Sequence, residues 1–201
     1  MSKYCTNLSL PMFPLSTDFD PAVLINHPKS RVQYVVDLKY LNPALVEFLS
    51  QRDVYISWAV IFLTYAVNIP HSDSEFPIDY VRLNWQFSEG EDTVMNWYVP
   101  KDGIKPRNLT NPVGRKHYLY DYDTLDLVHS ESIGFPSIVQ VTIPHDVTVN
   151  TIPRYCLSTL LHYKSTNKLI PMSDACKTFK DFIREQRTPS EYLNPGASER
   201  I

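Results

Sequence analysis

Six histidines occur in the chain, and two of them are followed two positions later by a carboxylate: His71-Ser72-Asp73 and His129-Ser130-Glu131. Such a pair alone says little; the residues further along the chain decide between them. Two histidines and one carboxylate can hold Fe(II) on one face of its coordination sphere, leaving three positions open. Two of those suit chelation by a 2-oxo acid and the third suits dioxygen. In a jelly roll the H-x-D ends one strand and the second histidine lies on a later strand that returns beside it. Several strands must intervene, which takes about 50–100 residues at roughly 8–12 per strand and turn. Asp73 to His145 is 72 residues, whereas Glu131 to His145 is only fourteen, the length of one hairpin. The expected ligand set is therefore His71, Asp73 and His145.

Nine residues beyond His145 stands Arg154, which opens the apolar run RYCLSTLLHY. A guanidinium entering such a strand needs an anionic partner. Its planar fork suits a carboxylate held by two parallel hydrogen bonds. Asp146 and Asp123 are the alternative, structural partners.

An H-x-D, a distal histidine and a basic residue about ten positions later resemble the Fe(II)/2-oxoglutarate-dependent oxygenases. The likeness covers residues 54–163. The block IPHSDSEFPIDYVRLNWQF, NWYVP, IPHDVTVNTIPRYCLS is similar to small phage and bacterial members of that superfamily. The resemblance implies Fe(II) on His71, Asp73 and His145, with 2-oxoglutarate as co-substrate and Arg154 on its far carboxylate. It implies O2-dependent hydroxylation of a substrate, with succinate and carbon dioxide as co-products. One branch of the superfamily has serine two residues after the arginine; here that position is Cys156, and Ser158 comes two further on. Ser158, Arg82 and Asn84 complete the candidate co-substrate contacts. Trp97, Tyr98 and Tyr120 are candidates for lining the substrate pocket. His117, His129 and His162 show no partner pattern.

The elements that must position these residues read as strands. RVQYVVDLKYL (31–41) reads as a first strand, and Asn42-Pro43 as the cap and first residue of a helix over 43–52. VYISWAVIFLTYAVNIP (54–70) is uncharged and at the lower limit of a membrane span, but its β-branched and aromatic content suits buried strands. Residues 78–87 alternate, placing Tyr80, Arg82 and Asn84 on one face and Val81, Leu83 and Trp85 on the other. With TVMNWYV (93–99) they are expected to form a hairpin. Residues 100–116 read as a polar loop, and 117–122, 137–143 and 154–163 as further strands. A helix is expected over 174–187, capped by Ser173 or Asp174, with Cys176 and Phe179 inward.

Many short strands, long connections and few helices predict a mainly β chain with flanking helices, a cupin-like jelly roll or double-stranded β-helix. It is expected to be one domain over 1–201, with an N-terminal arm (1–30), core strands (54–163), a C-terminal helix (174–187) and a polar tail (190–201). The 43% hydrophobic content allows a real core. Five glycines, none closer than eleven residues apart, exclude clustered-glycine phosphate and dinucleotide loops and the nucleophile elbow. A net charge of −3 gives no footprint for a large nucleic-acid surface. Three cysteines without metal spacing, and no basic-then-apolar opening segment, lead to the expectation of a reduced, cytoplasmic setting and no membrane. The expected partner is a small-molecule or peptide substrate, selected by residues 1–30, 74–79 and 100–135. Two other readings stay open: a non-catalytic jelly-roll structural or binding protein, and a cupin-like metal enzyme that does not use 2-oxoglutarate.

Overall fold

The computed structural model describes residues 2–25, 33–64, 69–74, 78–87, 93–110, 116–133, 136–149 and 154–184. It is mainly β. Among the described residues, twelve strands form two antiparallel six-stranded sheets. The first sheet runs in the order β1 (Cys5–Asn7), β10 (Ser137–Gln140), β5 (Val81–Gln86), β12 (Arg154–Tyr163), β3 (Val54–Thr64), β2 (Gln33–Val35). The second runs β7 (Arg107–Thr110), β8 (Lys116–Leu119), β4 (His71–Ser72), β11 (His145–Val149), β6 (Thr93–Pro100), β9 (Leu125–Ser132). From β3 to β6 the chain alternates between sheets with each strand, and it does so again from β9 to β12.

This alternation corrects the expected hairpin. β5 pairs with β10 and β12, and β6 pairs with β11 and β9, so these two strands lie in different sheets. Alternating hydrophobicity fixes which face of a strand is buried; it does not choose the strand's neighbour. The segment 54–70 supplies β3, a strand buried in the first sheet up to Thr64, and residues 65–68 lie outside the described ones. Among the described residues no helix is long and apolar enough to cross a membrane.

Two apolar layers result. Beyond the short helix α1 (Ala22–Ile25) of the N-terminal arm, the outer face of the first sheet, with Ala59, Ile61, Leu63, Leu83 and Leu157, packs under α2 (Pro43–Ser50) and α3 (Met172–Thr178). Between the sheets lie Tyr80, Met95, Trp97, Val139, Val141 and Val147. Helix α2 forms as its sequence dictates: the Asn42 side chain accepts from the Ala44 N–H at 2.9 Å, Pro43 follows, and Leu45 and Leu49 are buried. The N-terminal arm is more than a covering segment, because β1 adds to the sheet edge beside β10.

Other boundaries differ from the sequence reading. The expected strand 31–41 is reduced to β2, because Asp37 caps a 3-10 turn at Leu38–Tyr40. The loop 100–116 contains β7, hairpinned to β8, and β9 occupies a stretch read as loop. The C-terminal helix starts at Met172 and ends at Thr178, followed by a 3-10 turn at Lys180–Phe182. The N-terminal arm captures the chain there: Ser9 N–H donates to the Phe182 carbonyl, Arg184 N–H donates to the Asn7 carbonyl, and Leu8 bridges to Ile183. Residues 185–187 and the tail lie outside the described residues.

Leu157 is fully buried in the middle of β12, the strand bonded to both β3 and β5. Leu157→Ala is expected to destabilise the fold by about 3 kcal/mol. Urea unfolding monitored by tryptophan fluorescence checks this, and a loss under about 1 kcal/mol contradicts the packing described.

Candidate metal centre

His71 and His145 are brought together by backbone pairing. β4 and β11 are antiparallel neighbours, and these two residues stand opposite each other in the register. Their rings lie 4.6 Å apart between centroids. Each is anchored in the same way: His71 Nδ1 is 2.9 Å from the Ile69 carbonyl, and His145 Nδ1 is 2.8 Å from the Ile143 carbonyl. A carbonyl can only accept, so each Nδ1 carries a proton, and Nε2 is the ring nitrogen not engaged by the backbone. Fixing the tautomer through the second nitrogen is how proteins prepare imidazoles for metals.

Asp73 comes directly after β4 and is tied back by its N–H to the Val141 carbonyl, at 2.9 Å. Its side chain is 8% exposed. Arg82, on β5 of the other sheet and 4% exposed, reaches across with Nη2 2.7 Å from Asp73 Oδ2. That leaves Oδ1 toward the histidines, 3.7 Å from His71 Nε2. One donor atom from each of His71, Asp73 and His145 lies within 4.8 Å of the others. First-shell bonds near 2.1 Å put adjacent donors about 3 Å apart, so modest side-chain rotation closes the set on an ion. The donor chemistry fits a divalent metal: two imidazole nitrogens and one carboxylate oxygen. The group could hold a metal ion.

The electrostatics suit that role. Burial opposes ionisation of Asp73, but the charge of Arg82, the His117 hydrogen bond and the two imidazoles outweigh it and hold the carboxyl well below the usual range. His145 is pushed down to about 3, first by burial and then by His71. Both groups therefore stand in the protonation state a metal needs.

Ser158 and Asn84 are directly opposed on β12 and β5, on the face of the first sheet that also carries Arg82. Ser158 is buried and lies 3.5 Å from Arg82 Nη1. Arg82 Nε and Asn84 Oδ1 are buried and have no hydrogen-bond partner among the described residues. Arg154 opens β12 opposite Thr64, four residues ahead of Ser158, and its side chain lies outside the described part of the structure. Its alternative partner Asp146 is already engaged, accepting from Asn96 Nδ2 at 2.8 Å, Tyr98 OH at 2.8 Å and Tyr122 OH at 2.7 Å.

The three candidate pocket aromatics lie elsewhere. Trp97 is fully buried and donates from Nε1 to the Gln140 carbonyl at 2.8 Å, tying the second sheet to the first. Tyr98 bonds Asp146 on the opposite face of its sheet, where alternation turns Asp146 away from its neighbour His145. Tyr120 hydrogen-bonds Ser72, which alternation turns away from His71 and Asp73. The rival pair His129–Glu131 closes on itself at 3.4 Å, and His129 stacks on Tyr4. The sequence reading missed His117. Its Nδ1 is 3.4 Å from Asp73 Oδ1, because β8 pairs with β4. No motif marks it; only the strand register does.

Comparisons with protein-family models, curated proteins and solved structures find no match for this chain.

The charges lead to two expected outcomes. Arg82→Ala leaves the Asp73 carboxylate buried without its cation and is expected to cost about 3–5 kcal/mol in urea unfolding; a loss below about 1 kcal/mol shows the pair to be unimportant. The second is acid lability of the metal-free protein. His145 is depressed from 6.5 to about 3, so below pH 6.5 the unfolded chain binds a proton that the folded chain refuses. Stability is full above that value and falls as pH drops toward 3, with Asp73 adding to the loss below the ordinary carboxylate range. His145→Asn is expected to flatten the decline between about pH 6.5 and 4 in urea midpoints; an unchanged slope refutes the assignment.

Proposed function

We propose that the protein is an Fe(II)- and 2-oxoglutarate-dependent oxygenase that hydroxylates a small-molecule or peptide substrate. The observation that carries this reading is the convergence of one donor atom from each of His71, Asp73 and His145, with both Nδ1 atoms and Asp73 Oδ2 engaged by other partners. The strand order supports a double-stranded β-helix: β3, β5, β10 and β12 in one sheet face β4, β6, β9 and β11 in the other, as in a jelly roll wound from two strands. The H-x-D at the end of β4 and the distal histidine on β11 then occupy neighbouring strands of one sheet.

Bound Fe(II) supplies the activation of dioxygen, with oxidation of the 2-oxo acid to succinate and carbon dioxide. The chain's own part is placement. His71, Asp73 and His145 would hold the ion with three donors, a number that leaves positions for other ligands. Arg82 holds Asp73 Oδ2, so only one carboxylate oxygen faces the ion. The unpartnered Arg82 Nε and Asn84 Oδ1 offer one donor and one acceptor to a polar occupant between the sheets. Arg154, near Ser158 on the same strand, provides the fork for a dicarboxylate's far end. The buried layer of Trp97, Met95 and Val147 excludes water from behind the histidines.

A second reading, the cupin-like metal enzyme, is favoured by one observation: a third imidazole, His117, stands beside Asp73. If that ring ligates, one open position is lost.

The test is anaerobic addition of Fe(II) and 2-oxoglutarate, with succinate release under air as the second readout. A weak visible charge-transfer band and succinate formation are expected. Ala at His71, Asp73 or His145 should abolish both. Arg154→Lys should raise the apparent KM for 2-oxoglutarate about tenfold or more with iron binding intact. Iron binding without any charge-transfer band or succinate transfers the assignment to the cupin-like reading.

A further inference from the structure

We propose that His117 is a positioning residue of the metal centre, clamping Asp73 from the side opposite Arg82. This inference rests on the metal-centre reading and extends it to a residue that no motif singles out.

Three of the four polar atoms around the cluster have evident anchors. The two histidines are fixed through Nδ1 by backbone carbonyls two residues earlier. Asp73 Oδ2 is fixed by Arg82, which comes from the facing sheet. Oδ1 faces His71, and the contact that orients it comes from His117. The register makes that contact unavoidable. On β8, Leu119 stands opposite His71 and Tyr118 opposite Ser72, so the next step brings His117 opposite Asp73. The His117 ring meets His71 edge-on, 5.6 Å between centroids, and is 15% exposed. It is therefore held by its own packing as well as by the carboxylate.

Two clamps acting from different sheets fix the plane of the carboxylate. With Arg82 alone, the group can rotate about its contact at Oδ2 and move Oδ1 away from the histidines. An sp² carboxylate oxygen has two lone pairs, so Oδ1 can accept from His117 Nδ1 and still offer a lone pair to a metal. His117 Nδ1 lies 3.4 Å from Oδ1, a reach suited to a donor that steadies the ligand. Outer partners of this kind commonly carry about tenfold to hundredfold in metal affinity.

The experiment uses the full chain with Co(II), whose visible absorption reports coordination number. Wild type, His117→Leu and His117→Asn are titrated, and urea unfolding of each metal-free protein confirms folding. Leu fills the space without a donor, and the Asn amide restores a donor near Nδ1. Expected are one Co(II) per chain in wild type, about 10- to 100-fold weaker binding in His117→Leu with unchanged band intensity, and recovery to within about threefold of wild type in His117→Asn. A change in band intensity in His117→Leu makes His117 a ligand and overturns the proposal. Unchanged affinity in His117→Leu overturns it as well, while leaving the metal centre standing. If His117→Leu does not fold, the Asn variant decides alone, and about tenfold or greater loss there overturns the clamp. Absence of Co(II) binding in wild type overturns the metal-centre reading and the clamp with it.

Discussion

The buried ion pair between Asp73 and Arg82 joins the two sheets at the point where the candidate chemistry sits. Asp73 leaves the end of β4 in the second sheet, and Arg82 comes from β5 in the first. Neither charge has enough water around it to be stable alone, so each requires the other. The arginine also lies over the Trp58 ring, 5.0 Å from its centroid, which fixes the guanidinium from the side of β3. Sliding one sheet against the other would separate two desolvated charges. The pair thus sets the spacing of the sheets locally, and the histidines inherit a fixed carboxylate to work beside.

The backbone supplies the rest of the geometry in rows that cross the second sheet. Leu119, His71, His145, Trp97 and His129 are successive cross-strand partners. Strands lie about 4.8 Å apart, so neighbouring members of the row are held at that spacing whatever their side chains. Two imidazoles in adjacent places are then within bridging distance of one ion. The next place holds Trp97, whose indole N–H is satisfied by the first sheet. One row therefore changes from paired imidazoles to sealed core within a single strand. The alternate face carries the opposite solution: Asp146, one residue from His145, is surrounded by hydroxyl and amide donors. The two carboxylates thus differ in their surroundings: Asp146 accepts from hydroxyl and amide donors, and Asp73 stands beside His71 and His145.

How much of this is legible in the sequence depends on whether a signal is local or a matter of pairing. Asn42-Pro43 announces a helix through its own chemistry, and α2 starts there. His71, Asp73 and His145 are legible because the interval between them has to hold several strands. Arg82 is placed on the correct face by the alternation of 78–87, but its partner is not deducible, since the pairing of β5 depends on strands far along the chain. His117 is invisible for the same reason. The strands that escape notice, β7 and β9, lie at the two edges of the second sheet, and β7 is exposed throughout. Edge strands lack a second neighbour and carry polar residues, so they read as loops. Trp97 and Tyr98 look like pocket residues by composition. Their burial and bonds show that a large aromatic beside a candidate ligand in the register can be core rather than pocket.

The space between the sheets is not uniformly apolar. An apolar filling would be the stable way to close a jelly roll, and the Trp97 layer does this at one level. At the level of Arg82, Asn84 and Ser158 the interior turns polar, and two buried atoms, Arg82 Nε and Asn84 Oδ1, find no partner among the described residues. Leaving a buried polar group unsatisfied costs about 1–3 kcal/mol. Leucine or valine would pack the same positions beside Leu160 and Val60, but at position 82 it would leave the Asp73 carboxylate buried without its cation. A polar occupant removes the penalty on arrival by supplying the missing acceptor and donor. It would lie between a guanidinium edge, an amide oxygen and a hydroxyl, beside the ligand set. The guanidinium that pairs with Asp73 through Nη2 thus presents Nε, beside Asn84 Oδ1, as a donor and an acceptor on the inner face of the first sheet.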